Sequence, residues 1–166
     1  FDTKGYAAEQ KLSIQESARN LRFAYFFELK ASHDFASIAT AHHADDAIET
    51  FFINLMRGSG PRGLSGITED PERGLVRPML HLSRADIEVY AQAHEVQWRE
   101  DSSNASDTYL RNQLRHQLLP LMHDLKPGFG AVMHRNMAIQ AQVDVLIKTQ
   151  VEQYSAAHFK QLGKLK

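Results

Sequence analysis

The 166-residue chain contains no cysteine. A disulfide framework, a thiolate zinc site and a cysteine-ligated iron–sulfur cluster are therefore excluded within this sequence. The absence of cysteine also fits a reducing compartment, and we expect a cytoplasmic location. No apolar run approaches the ~20 residues that span a bilayer, so we expect no membrane partner.

The chain also lacks an excess of charge of either sign, because its 19 Lys and Arg residues nearly balance its 20 Asp and Glu residues. A basic surface for nucleic acid would have to be a local patch. The length suits one domain of ordinary size with a hydrophobic core. The first residue is Phe1 rather than Met, and "FDTKGY" resembles the interior of a longer sequence. We therefore expect further sequence before it.

Alternating helical and extended segments predict an α/β fold with a parallel sheet. The short apolar segment 35–41 is expected to be a buried strand, and "LVRPML" (75–80) a second extended segment. Helices are expected over 13–30, where Ser13 and Glu16 form a capping signal, and after the segment 35–41. Beyond residue 105 the pattern is helical. Pro120 is expected to kink or start a helix, and a long helix is expected from about 131 to 159.

Two histidines and two aspartates, "HHADD", lie at the expected strand-to-helix turn, as His42, His43, Asp45 and Asp46. Ligands of open α/β sheets bind at the carboxyl ends of strands. The aspartates could simply favour the helix macrodipole, by ~0.3–1 kcal/mol each. The cluster could instead ligate a divalent metal, as in metal-dependent phosphoesterases. In a third interpretation, Asp45, Asp46 and Glu49 form an acidic flank that receives a lysine ammonium.

Two further features point to phosphate or base recognition. Arg57 and Arg62 flank or enter a glycine-rich loop that begins at Gly58, and glycine lets a backbone approach a phosphate or a base closely. Arg111 and Arg115 are one helical turn apart on the same side. They could form a solvated basic face or a clamp on phosphate, and Arg115 is expected to lie off the apolar face of its helix.

The segment "TAHHADDAIETFFINLMRGSGPRGLSGI" closely resembles the tRNA(Ile)-lysidine synthases, a family of PP-loop ATP pyrophosphatases. The resemblance continues in "FDTKGYAAEQKLSIQESARNLRFAYF", in "VRPML" followed by "SRADIEVYA", and in "WREDSSNASDTYLRNQLRHQLLPLM". It covers nearly the whole chain. It implies an incomplete parallel-sheet PP-loop ATPase core (1–104), a helical end of the catalytic domain (105–127) and a linker helix (128–166) toward further C-terminal domains.

The resemblance also implies a reaction. ATP, with Mg²⁺, adenylates the C2 carbonyl oxygen of the wobble cytidine in the CAU anticodon of tRNA(Ile). The side-chain amine of L-lysine then displaces AMP. The expected partners are this tRNA and lysine, and a homodimer is left open as an assembly state.

The family's motifs imply roles for particular residues. His42 and Asp46 resemble its His-x-x-x-Asp signature at the reaction site, and Glu49 would help to hold lysine. Arg111 and Arg115 resemble its Arg-Asn-x-x-Arg stretch near the adenylated intermediate. The expected catalytic residues are His42, Asp46, Arg111 and Arg115. The expected substrate-binding residues are His43, Asp45, Glu49, Arg57, Gly58 and Arg62. No residue is assigned to a metal.

One departure from the family is clear. The Ser-Gly-Gly-x-Asp-Ser motif of the PP-loop does not occur in the 166 residues, and Gly58-Ser59-Gly60 follows a helix rather than opening one. We therefore expect the chain to be inactive by itself. The alternatives are another PP-loop tRNA-modifying ATPase, a metal-dependent phosphoesterase that uses the histidine–aspartate cluster, and a helical adaptor in which the last helix is a partner surface.

Overall fold

A computed structural model describes residues 1–99 and 110–159. Within these ranges the elements follow one another in the order α1 (Thr3–Gln10), α2 (Ile14–Ser32), β1 (Ile38–Ala39), α3 (Ala44–Met56), α4 (Pro61–Leu64), β2 (Leu75–Val76), α5 (Arg84–Ala93), α6 (Leu110–Gln113), a π-helical turn (Leu114–Leu118), α7 (Leu119–Leu125) and α8 (Phe129–His158).

The parallel pairing expected of an α/β fold is confirmed, in a short form. β1 and β2 pair in parallel, with Ile38 beside Leu75 and Ala39 beside Val76. Main-chain hydrogen bonds from Ile38 N–H to Gly74 O (2.8 Å) and from Thr40 N–H to Val76 O (3.1 Å) hold the register. The predicted strand 35–41 was too long, because only two of its residues pair in the described part of the chain, and it is not buried: Phe35 is 56% exposed and Ile38 only half-buried.

The main helices confirm the sequence-based expectations. Ser13 Oγ accepts the Glu16 N–H at 3.2 Å, and α2 begins at the next residue after Ser13. Pro120 lies in the first turn of α7, directly after the π-helical turn Leu114–Leu118. α8 runs close to the predicted limits. The short helices α1 and α4 were not predicted.

The chain forms two compact units, and each has its own packing. The first comprises Phe1–Ala41 and Glu69–Pro78, and the second comprises His42–Thr68 and the chain from Met79 onward. In the first unit, α1 packs on α2 and the two strands pair. In the second, α3 and α4 pack against α8 around a core of Ala47, Ile48, Ile67, Leu119, Phe129, Met133 and Met137. None of the helices in the described residues is long and apolar enough to cross a membrane.

Candidate active site

The N-terminus of α3 is tied to the N-terminus of α5 by two hydrogen bonds. The Ala44 N–H donates to Leu82 O at 2.8 Å, and the Arg84 N–H donates to Asp45 Oδ2 at 2.7 Å. The first N–H groups of a helix have no partner within it, so the Asp45 carboxylate satisfies one of those of α5. Asp45 thereby holds the first turn of α3, which carries the histidine–aspartate cluster, against the N-terminus of α5.

The imidazole of His43 lies between two carboxylates. Its Nε2 is 3.4 Å from Asp46 Oδ2 and its Nδ1 is 3.8 Å from Asp45 Oδ2. Asp46 Oδ2 also accepts the His43 main-chain N–H at 3.0 Å, which caps α3. His42 precedes this cap and is half-buried. The four cluster residues therefore form one polar turn, in which Asp45 and Asp46 already accept hydrogen bonds.

Glu49 lies one turn further along α3 and is fully buried, with 0% of its side chain exposed. Arg115 donates two parallel hydrogen bonds to its carboxylate, from Nε to Oε1 at 2.7 Å and from Nη2 to Oε2 at 3.1 Å. This bidentate geometry is the strongest arrangement of an arginine with a carboxylate. Arg115 Nη2 is also 3.4 Å from Asp46 Oδ1, so one guanidinium joins both acids.

Arg111 lies in α6, one helical turn before Arg115, and also contacts the Glu49 carboxylate. Its Nη2 donates to Thr50 Oγ1 at 3.0 Å, and its Nε is 3.4 Å from Glu49 Oε2. Two guanidinium charges thus face the carboxylates of Asp46 and Glu49. We call these four side chains the acid–arginine cluster. Its charges compensate one another, which is what permits a carboxylate to be fully buried.

The pKa values in this cluster reflect burial and pairing. Burial raises the pKa of the Glu49 carboxyl above its ordinary value, and the hydrogen bonds and charge of Arg115 limit that rise. For Arg115, lost hydration lowers the pKa, but the hydrogen bonds and charge of Glu49 outweigh it and leave the pKa raised. The guanidinium is therefore a fixed positive charge in the cluster.

The structure does not bring the glycine-rich loop to this cluster. Arg57 follows the last turn of α3 and is eleven residues beyond Asp46; Gly58 comes next. At ~1.5 Å per residue, Arg57 lies about 16 Å from Asp46 along the helix axis. Arg62 is exposed in α4. Asn54 Nδ2 donates to Gly63 O at 2.8 Å and holds the loop against the carboxyl end of α3.

Two sequence-based expectations need correction. The acidic flank was predicted to be open to a cation, but Glu49 is buried and paired. Arg115 was expected to lie off the apolar face of its helix, but its guanidinium, which is 20% exposed, covers that buried carboxylate. Sequence reasoning also missed Thr50 and Asn54. The spacing in sequence shows only that the acids at 46 and 49 share one helix face and that the arginines at 111 and 115 share another; it does not indicate that the two faces pair.

The cluster does not fit a magnesium or other divalent metal site. Among the described residues, no group of three or more His, Asp or Glu side chains is arranged to hold a metal ion. The carboxylates at the site are engaged by arginines or by main-chain N–H groups, whereas a hard cation needs oxygens that are free to coordinate it.

Comparison with known proteins identifies the family. A profile of the PP-loop domain matches residues 2–122. A tRNA(Ile)-lysidine synthase of Parabacteroides distasonis is 44% identical over 129 residues, which are 77% of this chain and 29% of that protein. One from Porphyromonas gingivalis strain W83 is 40% identical over 135 residues, 81% of this chain and 30% of that protein. One from Geobacter sulfurreducens is 36% identical over 156 residues, 93% of this chain and 33% of that protein.

The chain spans about a third of the length of these curated relatives. The profile match covers α1 to α7 almost entirely, and includes both halves of the acid–arginine cluster. Together with the parallel β1–β2 pair, this match shows that the chain belongs to the PP-loop domain family.

Proposed function

We propose that this chain is part of a tRNA(Ile)-lysidine synthase, which joins L-lysine to C2 of the wobble cytidine of tRNA(Ile) as ATP is converted to AMP and pyrophosphate. The acid–arginine cluster is the observation that carries this proposal. It joins the "HHADDAIE" turn to the "RNQLR" turn through contacts of 2.7 to 3.4 Å, although the two lie more than sixty residues apart in sequence.

The chemistry needs charges of both signs at one place. When the cytidine oxygen attacks the α-phosphate of ATP, negative charge develops on the leaving pyrophosphate and positive character on the cytosine ring. Arg111 and Arg115 suit the first charge, and the Asp46 carboxylate suits the second. The lysine amine then bonds to C2, AMP leaves, and the amine gives up a proton. In this proposal His42 either carries a proton or orients the base.

The substrate-binding residues fall into two groups. His43 and Asp45 lie at the amino end of α3, beside Asp46, and constitute the lysine side of the proposed site. Glu49, one turn further on, was expected with them but is buried beneath Arg115. Arg57, Gly58 and Arg62 lie beyond the carboxyl end of α3. In this proposal they contact a phosphate or a base of ATP or of the tRNA. ATP is taken as a substrate. Mg²⁺ accompanies ATP in this proposal, as the resemblance implies, and the paired carboxylates of this site are not assigned as its ligands.

The test is the appearance of lysidine in tRNA. A full-length protein that carries this chain is incubated with ATP, lysine and a tRNA(Ile) transcript with a CAU anticodon, and the nucleosides are analysed by mass spectrometry. We expect lysidine only when all three substrates are present. Omission of lysine should leave a wobble cytidine, and a transcript with another wobble base should stay unmodified. Absence of lysidine from the complete reaction would contradict the proposal.

The Asp46→Asn variant tests the proposed catalytic role of Asp46. The change removes a negative charge but keeps the size of the side chain, so we expect lysidine formation to fall at least tenfold, the loss expected of one charged hydrogen bond at ~1.5–3 kcal/mol. Asp144→Asn is the control, because Asp144 forms an ion pair with Lys148 on the surface of α8. Equal activity of the two variants would remove Asp46 from the catalytic residues.

The alternatives make different predictions in the same preparation. A metal-dependent phosphoesterase would cleave a generic phosphodiester with manganese and without lysine, and the paired carboxylates do not favour it. A helical adaptor would bind neither lysine nor ATP in a calorimetric titration. The domain limits at 104 and 127, the inactivity of the 166-residue chain alone and a homodimer stay predictions.

A further inference from the structure

We propose that Glu49 acts on the reaction through Arg115, as a positioning residue, rather than by touching the lysine ammonium. This inference rests on the proposed function and changes the role of one residue within it. The resemblance implies direct help with lysine, whereas the geometry joins Glu49 to the arginines.

The first argument is access. The Glu49 side chain is fully buried, and both of its carboxylate oxygens face guanidinium nitrogens. An ammonium group could reach these oxygens only by displacing Arg115. That exchange would replace a bidentate pair with single hydrogen bonds from a compact, strongly hydrated cation. Asp46, which is 15% exposed, is open to such a group where Glu49 is not.

The second argument is the orientation of Arg115. A guanidinium that is held through Nε and Nη2 can no longer rotate, because two parallel hydrogen bonds fix its plane. The Arg115 side chain remains 20% exposed, so the group that Glu49 orients is reachable from outside. Arg111 is held more loosely, by one hydrogen bond to Thr50 and an ion-pair contact of 3.4 Å with Glu49, and is 38% exposed. Glu49 is therefore a buried carboxylate that contacts two partly exposed guanidinium groups.

The third argument is the backbone that presents Arg115. Its turn, Leu114–Leu118, is π-helical, and such turns are rare and are concentrated at functional sites. Leu114 and Leu119 anchor the two ends of the turn in the interior. The wide turn and the buried carboxylate together set the direction of one side chain, as a precise catalytic group requires.

The experiment separates positioning from lysine binding in a full-length protein that carries this chain. Glu49→Gln, Arg115→Ala and the double variant are compared with wild type for kcat and for the KM of lysine and of ATP. We expect Glu49→Gln to lower kcat by ~10- to 100-fold, the loss of a charge-assisted hydrogen bond, with the KM of lysine changed less than about threefold. The double variant should be no slower than Arg115→Ala, because residues that act as a unit are not additive.

The controls identify a merely structural effect. Glu88→Gln is the matched variant, since Glu88 pairs with Arg84 at 2.7 Å on the surface of α5, and it should leave kcat and both KM values unchanged. Glu49→Asp, which keeps the charge, should recover part of kcat. Each variant is melted beside its assay, and wild-type-like folding at the assay temperature is required of Glu49→Gln.

Three outcomes would overturn the inference. A KM for lysine that rises at least tenfold at constant kcat would place the ammonium on Glu49. Losses that multiply in the double variant would show that the two residues act separately. A kcat loss that tracks unfolding, without recovery by aspartate, would make Glu49 structural only. A wild-type protein that forms no lysidine would instead contradict the proposed function, and this inference with it.

Discussion

At the scale of the residue, the main feature is a carboxylate that is buried because a guanidinium covers it. Glu49 could not remain charged in the interior without a partner, since an isolated buried charge costs several kcal/mol. Arg115 is that partner, and the same guanidinium also contacts the Asp46 carboxylate. Removal of either member of the pair therefore has consequences for folding and, in the proposed reaction, for activity.

Arg115→Ala should lower the free energy of unfolding by about 3–5 kcal/mol, because it leaves the Glu49 carboxylate buried without its bidentate partner. Urea unfolding of the 166-residue chain at neutral pH measures this. Lys148→Ala is the matched control, since it breaks an ion pair with Asp144 in which the lysine is 54% exposed, and it should cost less than about 1 kcal/mol. Equal effects of the two variants would show that the Glu49–Arg115 pair adds no more than a surface contact.

The stability of the chain should also depend on pH through Glu49. Burial raises the pKa of this carboxyl in the folded state above its ordinary value of 4.5, so the folded state holds the proton more tightly than the unfolded state. Its contribution to stability is fully present below the unfolded pKa and is lost as the pH rises through the folded pKa. The unfolding free energy of wild type minus that of Glu49→Gln should therefore fall from pH 4 toward neutrality.

Urea titrations at several pH values provide this difference, in which titrating groups away from the acid–arginine cluster cancel. Asp86 is one such group: its pKa is lowered by hydrogen bonds with Ser83, so its contribution has the opposite sign and is lost in acid. A difference that does not change with pH would mean that the pKa of Glu49 is the same in the folded and unfolded states.

At the scale of the element, the core of the second unit depends on how closely α3, α4 and α8 approach one another. Gly66 follows α4 with a positive φ of +71°, and a Cβ added there would lie 2.9 Å from Ala47 O and 2.7 Å from Met137 Sδ. No side chain fits in that space without a shift of the α3 backbone. The close approach thus depends on glycine at this position.

Gly66→Ala should destabilise the chain more than Gly128→Ala does. Gly128 has nearly the same backbone, with φ +77°, but an added Cβ there meets nothing within 4 Å. Its replacement costs only the left-handed conformation, about 1–2 kcal/mol, whereas Gly66→Ala adds the collision with α3. Thermal melts of the two variants measure the difference. Equal melting temperatures would show that α3 yields to the extra methyl group without cost.

The π-helical turn before α7 has a local cause. The Leu119 N–H reaches back to Leu114 O, one residue further than in an α-helix. The next residue, Pro120, has no N–H, and its ring would clash with the carbonyl of His116 in a regular helix. The wider turn relieves this clash and also sets the direction from which Arg115 enters the acid–arginine cluster.

At the scale of the whole molecule, α8 changes from a core element to an exposed one along its length. Phe129, Met133 and Met137 belong to the core of the second unit. Further along, Val145, Leu146, Ile147 and Val151 are exposed. Only the first part of this helix is therefore fixed by packing within the described residues.

Met137→Ala should lower the free energy of unfolding by about 2–5 kcal/mol, because the side chain is only 4% exposed and its loss leaves a cavity. Leu146→Ala, at a position that is 62% exposed, should change it by less than about 0.5 kcal/mol. Urea unfolding checks both values. A large effect at Leu146 would mean that the second part of α8 is packed in solution.

How much of this could be predicted from the sequence depends on the range of the interaction. Capping at Ser13, the start of α3 after the histidines and the length of α8 are decided by neighbours in sequence, and all were predicted. The parallel pairing followed from the alternation of elements. The ends of β1 did not, because strand limits are decided by the partner strand, which pairs with only two residues.

The sequence by itself predicted the candidate residues of the site and, through its motifs, determined the family. Only the tertiary structure decided how these residues are paired. "HHADDAIE" shows acids near histidines, but nothing within it indicates that Asp45 caps α5 or that Glu49 is buried beneath Arg115. The physical reason is that helical periodicity fixes which side chains share a face, whereas the partner of a buried charge is chosen by the packing of distant segments.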